Sequence, residues 1–544
     1  MQTIEANIVD IPGRSIRPGR LTIDVGVVVS IDWLSSDSRF PHFLMPGFVD
    51  AHVHIESSML TPAQFARIAV RHGTVATVSD PHEIANVLGI QGVQFMLDDA
   101  ASVPFKFCFG APSCVPATEF ETSGSVLSVS DTESLLDRSD IHYLAEMMNF
   151  PGVLGSVPDV MAKIQAAKVR GKPVDGHAPG LRGDDARRYV GAGISTDHEC
   201  ASIDEAIEKI QAGAKIQIRE GSAARNFEAL VPLIDRYPGQ IMLCSDDKHP
   251  DDLLVGHVNQ LCRRALQHGC DLFHVLHAAC LAPVQHYSMP VGQLRVGDPA
   301  DFIEVKSLET FDVVRTFIDG VSVTDSATSA ILPSTTESVN RFQCSPLSPS
   351  DLLIPSRPGR IRVIVAEDRQ LTTQCEILDP KRESDQVVAD VERDLLKLVV
   401  VNRYQSAAPA IALVRCFGMQ RGAIAGSVGH DCHNIVAVGA NDGDLCHAIN
   451  EVIDCQGGLA VCDGTFVDRL PLPIAGLMSA EKGETVAADY QRLDRFAKQW
   501  GCSLEAPFMT LSFLPLLVIP SLKLSDQGLF DADRFQFVDL FVDP

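Results

Sequence analysis

The sequence contains no Cys-x-x-Cys pair, although fifteen cysteines are scattered along its 544 residues. Odd in number and irregularly spaced, they exclude a zinc ribbon, argue against a secreted disulfide framework and fit a reducing compartment. Basic residues are scarce: 45 Lys and Arg stand against 70 Asp and Glu, a formal net charge of −25. Nucleic acid and anionic membranes are repelled at long range by such a chain, so neither is expected as a partner. Long hydrophobic runs are also missing. The strongest, from Leu511 to Val518 and onward, is broken by Pro515 and Pro520 and is too short to cross a bilayer. At the N-terminus an early Glu5 and the lack of a basic stretch before an apolar one predict no signal peptide. These absences predict a cytoplasmic protein.

What is present is globular. Hydrophobic residues make up 46 % and charged residues 21 %, and the length suggests two to four domains. A chain of this size can bury a core without structural metal, so a bound metal would serve chemistry. The first forty-odd residues read as short strands (7–10, 21–25 and 27–32) punctuated by turns. An alternation follows, with strands expected at 48–55, 74–79, 105–109, 142–147, 173–176, 194–197, 215–218 and 240–244. Helices are expected between and after them, at 61–72, 84–101, 159–170, 184–190, 203–212, 227–236, 252–267 and 272–286. In the first, Thr61 stands as N-cap, Pro62 opens the helix and Gly73 follows its end. Eight such repeats predict a parallel (β/α)8 barrel, although a doubly wound sheet shares the alternation.

The expected organisation is a small β domain from 1–44 and 291–330, a barrel over 45–290, a Ser-, Thr- and Pro-rich linker over 331–358, and a mixed α/β C-terminal domain over 359–544.

His52-Val53-His54 lies near the end of the first expected barrel strand, where residues i and i+2 point to one side. Alone the pair is weak, since there are 17 histidines. Further ligand types recur at the same ends of later strands: Asp80, His82 and Glu83, then Glu146, His177, His198, Asp246 and Asp247. That C-terminal face is where barrel enzymes gather their catalytic residues. Four histidines and two carboxylates suit two divalent ions, with one Glu able to bridge them and a water acidified toward neutrality. Without thiolates, Zn(II), Fe(II) and Mn(II) fit about equally. Asp80 reads as a cap for the following helix. Glu146, set among Leu144, Ala145, Met147 and Met148, is costly to bury unless a cation compensates it.

The run Pro46-Gly47-Phe48-Val49-Asp50-Ala51-His52-Val53-His54 resembles the opening motif of the amidohydrolase superfamily. IESSMLTP (55–62), DPHEIANVLG (80–89), MNFPGV (148–153), DGHAPG (175–180), GSAARN (221–226) and SDDKHPDDLL (245–254) resemble adenine deaminases of the bacterial and archaeal type. SVGHDCHN (427–434), LPLPIAGLMS (470–479) and PFMTLSFLPLLVIP (507–520) extend the likeness into that family's C-terminal domain.

The resemblance implies hydrolysis of adenine to hypoxanthine and ammonia in purine salvage, with hydroxide attacking C6. It assigns His52, His54 and Asp246 to one ion, His177 and His198 to the other, and Glu146 as bridge. Manganese or iron is the expected metal, with zinc also fitting. Asp246 would accept the proton of the attacking water, Glu83 would protonate N1, and His82 would orient water or adduct. Arg225, Asp431 and His433 are expected near the substrate. Family members suggest a homo-oligomer, a dimer or larger. The alternative is a related amidohydrolase acting on another 6-substituted purine or a cyclic amide. Cyclic-amide hydrolases often bridge their metals with a carboxylated lysine on strand four, where this chain has Glu146; mononuclear deaminases often carry a glutamate where it has Gly180.

Overall fold

The computed structural model describes residues 1–324 and 339–542. The end expected for the small β domain and the start of the expected linker, 325–338, lie outside the described residues. The N-terminal strands Gln2–Asp10, Ser15–Asp24, Val27–Trp33 and Phe43–Pro46 share one seven-stranded sheet with Phe302–Val305, Val313–Ile318 and Val321–Ser322. Phe43–Pro46 joins the two sets, parallel to the first strand and antiparallel to Phe302–Val305.

The barrel begins where that strand ends. Five parallel strands, Phe48–Val53, Thr74–Ser79, Lys106–Ala111, Ile141–Met147 and Val174–Gly176, form one arc. Thr196–Asp197, Lys215–Arg219 and Ile241–Cys244 form the other. Ser195 N donates to Val174 O at 2.8 Å across the first joint, and Asp246 N donates to His52 O at 2.9 Å across the second. A parallel bridge between Val53 and Asp246 completes the ring, so the eight predicted strands make a (β/α)8 barrel rather than a doubly wound sheet. Val49, Ala51, Val75, Val78, Ile216, Ile218 and Leu243 are buried in it, as parallel strands covered on both faces require.

Several predicted helices are broken, each at a residue that explains the break. Residues 84–101 divide into His82–Leu88 and Ile90–Ala100 because Gly89 takes a positive φ of 63°. Pro250–Val255 and Val258–Gln267 flank Gly256, and the last barrel helix carries a π turn at His277–Leu281, just ahead of Pro283. Thr61 holds the N-cap position of Pro62–Ala69 but makes no side-chain cap bond.

The C-terminal region is built on a nine-stranded sheet, backed by helices Asp442–Asp454 and Gly483–Gln499. The described part of the expected linker is not free. Phe342, Cys344 and Leu347 pack on the sheet's apolar cluster, and Lys397 Nζ donates to Leu352 O at 2.8 Å.

This sheet region sits over the C-terminal face of the barrel. Ser479 N bonds Met59 O at 2.9 Å, Asn434 Nδ2 bonds Thr122 O at 2.9 Å, and Ala223, Ala224, Leu371, Met509, Phe513 and Leu516 form a shared apolar cluster. Among the described residues no helix is long and apolar enough to cross a membrane.

Candidate active site

The first barrel strand and the residue after it carry His52 and His54 two positions apart, both buried. Their Nε2 atoms are 3.1 Å apart. Asp246 follows the eighth strand with φ 55°, a left-handed conformation costing about 1–2 kcal/mol. It brings Oδ1 to 3.5 Å from His52 Nε2 and 3.4 Å from His54 Nε2. Ligands about 2.1 Å from a shared tetrahedral ion lie about 3.4 Å apart, so these three atoms have the spacing of donors around one cation.

Glu146, at the fourth strand's end, faces both sides of the site. Its Oε2 is 2.9 Å from His177 Nδ1 and 3.0 Å from His198 Nε2, and its Oε1 is 3.6 Å from His54 Nε2. The donor chemistry therefore fits divalent cations, and Glu146 is the carboxylate placed between the two donor groups.

Two contributors on the barrel escaped sequence reasoning. Glu199 brings Oε1 to 3.5 Å from both His177 Nδ1 and His198 Nε2. Arg219 grips Glu199 with two nitrogens and donates to Asp246 Oδ2 at 2.8 Å. An Arg at a barrel strand's C-terminal end and a Glu directly after His198 were the available signals. Pro81 holds the N-cap position of His82–Leu88 in place of the expected Asp80, which stands one residue earlier. Asp80 Oδ1 accepts from His82 N at 3.0 Å, while its Oδ2 faces His82 Nδ1 at 3.2 Å and accepts from Glu146 N at 3.3 Å.

A second group joins the barrel to the C-terminal region. His82 Nε2 is 3.4 Å from Asp431 Oδ1 and 3.7 Å from Glu83 Oε1. Glu83 is buried between His430 Nδ1 and His433 Nε2, each in close contact with one of its oxygens. Behind them Asp247 Oδ1 accepts from Ser57 Oγ at 2.5 Å.

Burial opposes every charge here, so the directions show which neighbours win. Burial raises the Glu146 carboxyl, but His177 and His198 hold it well below the usual range. For Asp246, Arg219 and then His52 and His54 overcome burial in the same direction. Burial lowers His177, but Glu199 and Glu146 push it up to about 9. Glu83 is held well below the usual range against burial by His430 and His433. Burial lowers His430, yet Glu83 and Asp247 push it up to about 9.

Most of these groups line a narrow cavity, whose apolar wall is Met148, Leu371, Phe513 and Leu516. Asp431 lines it, while His433 stands behind Glu83. Arg225 lies outside, in a wider neighbouring cleft. Its guanidinium is spent on Gly221 O, Ser222 O and Glu505 Oε1, at 2.9, 2.9 and 3.1 Å, so it braces the loop after strand seven against the C-terminal region.

Residues 43–323 match the amidohydrolase family profile, and residues 370–536 match that of the adenine deaminase C-terminal domain. The chain is 54 % identical over 544 residues to an adenine deaminase of Salinibacter ruber, covering 99 % of each chain. It is 50 % identical to an adenine deaminase of Methanosarcina mazei, covering 98 % of this chain and 99 % of the relative. To an adenine deaminase of Borreliella burgdorferi it is 46 % identical over the same shares. The likeness runs through the barrel that carries the donors and through the region that roofs them, and the chain belongs to the adenine deaminase family of the amidohydrolases.

Proposed function

We propose that the chain hydrolyses adenine, with one water, to hypoxanthine and ammonia. The observation that carries this reading is the cavity itself. Imidazole and carboxylate donors line it together with Glu83, which is gripped by two histidines of the C-terminal region.

His52, His54 and Asp246 would hold one divalent cation, His177 and His198 a second, and Glu146 would bridge them; Mn(II) or Fe(II) suits this set, and Zn(II) also fits. When bound, the cations supply ionised water at neutral pH and polarise the reacting centre. Asp246, oriented by Arg219, accepts the proton of the attacking water and passes it to the departing amine. Protonation of purine N1 falls to Glu83. Its neighbours favour the carboxylate, so the expected N1 acid works together with a partner. The proton is held in the Glu83–His430 pair, whose contact favours a carboxylate beside an imidazolium. His82, set by Asp80, orients the reacting groups, and Asp431 lies beside it on the substrate side. Met148, Phe513 and Leu516 give the base apolar faces to pack on.

A cytoplasmic homo-oligomer, a dimer or larger, completes the reading, and light scattering of the purified chain tests the assembly. The function is tested by product release from adenine, adenosine, guanine, cytosine and a cyclic amide after loading with Mn(II), Fe(II) or Zn(II). Ammonia from adenine well above the rest is expected. Metal-replete protein inert toward adenine but active on another 6-substituted purine or a cyclic amide would overturn it.

A further inference from the structure

Lys523 lies in the strand Leu522–Ser525 and is fully buried. Among the described residues no carboxylate comes within ion-pair distance of it. Its Nζ instead donates to Leu371 O at 2.7 Å and to Phe513 O at 3.0 Å. Burying an ammonium without a paired counter-ion is costly, and burial, opposed only by the more distant charge of Glu367, pushes this one down to about 7. A methionine would fill the same space without that cost, so the interior position points to work done by the two hydrogen bonds.

The carbonyls it holds belong to two residues of the catalytic cavity's apolar wall. Leu371 also lines the wider cleft outside, as do Glu199 and Arg219, so it stands at the boundary between the two spaces. The same strand and the residue before it steady the segment after Leu371 further: Thr373 Oγ1 donates to Leu522 O at 2.8 Å, and Ser521 N donates to Thr373 O at 3.1 Å. The Phe513 segment is tied through Leu524 N to Leu514 O at 3.1 Å.

We propose that Lys523 is a positioning residue for purine binding: by tethering the backbones of Leu371 and Phe513 it fixes the wall that separates the outer cleft from the catalytic cavity and packs on the base. The inference rests on the proposed reaction for its substrate. The tether itself does not. The metal-loaded full chain is compared with Lys523→Met and Leu371→Ala by steady-state kinetics on adenine, metal content, melting temperature and hydrogen exchange.

In Lys523→Met, KM is expected to rise about tenfold with kcat changed far less, because losing both hydrogen bonds weakens the wall and not the proton transfers. Exchange is expected to quicken in the peptides holding Leu371 and Phe513, with metal content unchanged. Leu371→Ala, which buries no new group, is expected to raise KM without quickening exchange around Phe513. A folded Lys523→Met with parental KM and parental exchange overturns the proposal. If that variant does not fold, a parental KM in Leu371→Ala overturns it. A metal-replete parent inert toward adenine would sink the proposed reaction instead, leaving the exchange comparison to judge the tether.

Discussion

His430 reaches across 347 residues of chain to set its Nδ1 on Glu83 Oε1, so the cavity formed by the barrel is completed by a histidine of the C-terminal region. Each of the two buried side chains shifts the other's ionisation, Glu83 downward and His430 upward. The pair joins the two regions as well as facing the substrate.

Loaded protein is expected to hold two divalent ions per active chain, because the donors form two groups that meet at Glu146. Metal analysis alongside activity checks this. Full activity with one tightly held ion, indifferent to a second, would contradict it.

Glu146→Gln removes the carboxylate placed between the two groups. The variant is expected to lose metal and at least about 100-fold in turnover. Near-normal metal content and rate would show that Glu146 does not bridge.

Glu83→Gln is expected to keep both ions and the fold while losing turnover, since Glu83 faces histidines more closely than it faces the other donors. Loss of metal from this variant would move Glu83 into the coordination shell and raise the ion count.

Asp431→Asn and His433→Ala separate two uses of one segment. Asp431 faces His82 in the cavity, so its variant is expected to lose kcat/KM at unchanged melting temperature. His433 is packed behind Glu83, and its variant is expected to lose both activity and stability. If both variants lose only stability, with normal specific activity in the folded fraction, the segment is a structural clasp.

The His430 contact has a pH signature. A histidine whose pKa is raised on folding stabilises fully below its unfolded value of about 6.5, and the gain disappears as pH rises through the folded value. For His430 that folded value is about 9. The difference in melting temperature between parent and His430→Ala is therefore expected to be largest near pH 6 and to shrink by pH 9. A difference that grows with pH would reverse the assignment.

Much of the barrel was legible because its strands are apolar on both faces and end in polar residues. Thr74–Ser79 has the predicted bounds, and Ile141–Met147 differs by one residue. Helix lengths were less legible. Gly89 and Gly256 stop helices through local backbone geometry, while apolar periodicity runs on across them. At the site, His52 and His54 announced themselves by spacing. Glu199 and Arg219 did not, since their partners lie on neighbouring strands and only the pairing of strands seven and eight brings Arg219 to Asp246. The roles of His430 and Lys523 depend on how the C-terminal region docks, which no local pattern encodes.

The ring is closed where Asp246 N meets His52 O, and the side chains of those two residues belong to one donor group. A cation held there would act as a rivet across the barrel's last joint, fastening the first strand to the eighth. A ligand that binds only the closed ring stabilises it by mass action. Stripping the metal would therefore loosen the barrel at this joint before its continuous arcs, so amide exchange in strands one and eight would quicken ahead of strands two and three, which carry none of the proposed ligands. Catalytic competence and mechanical closure would then be lost in the same event.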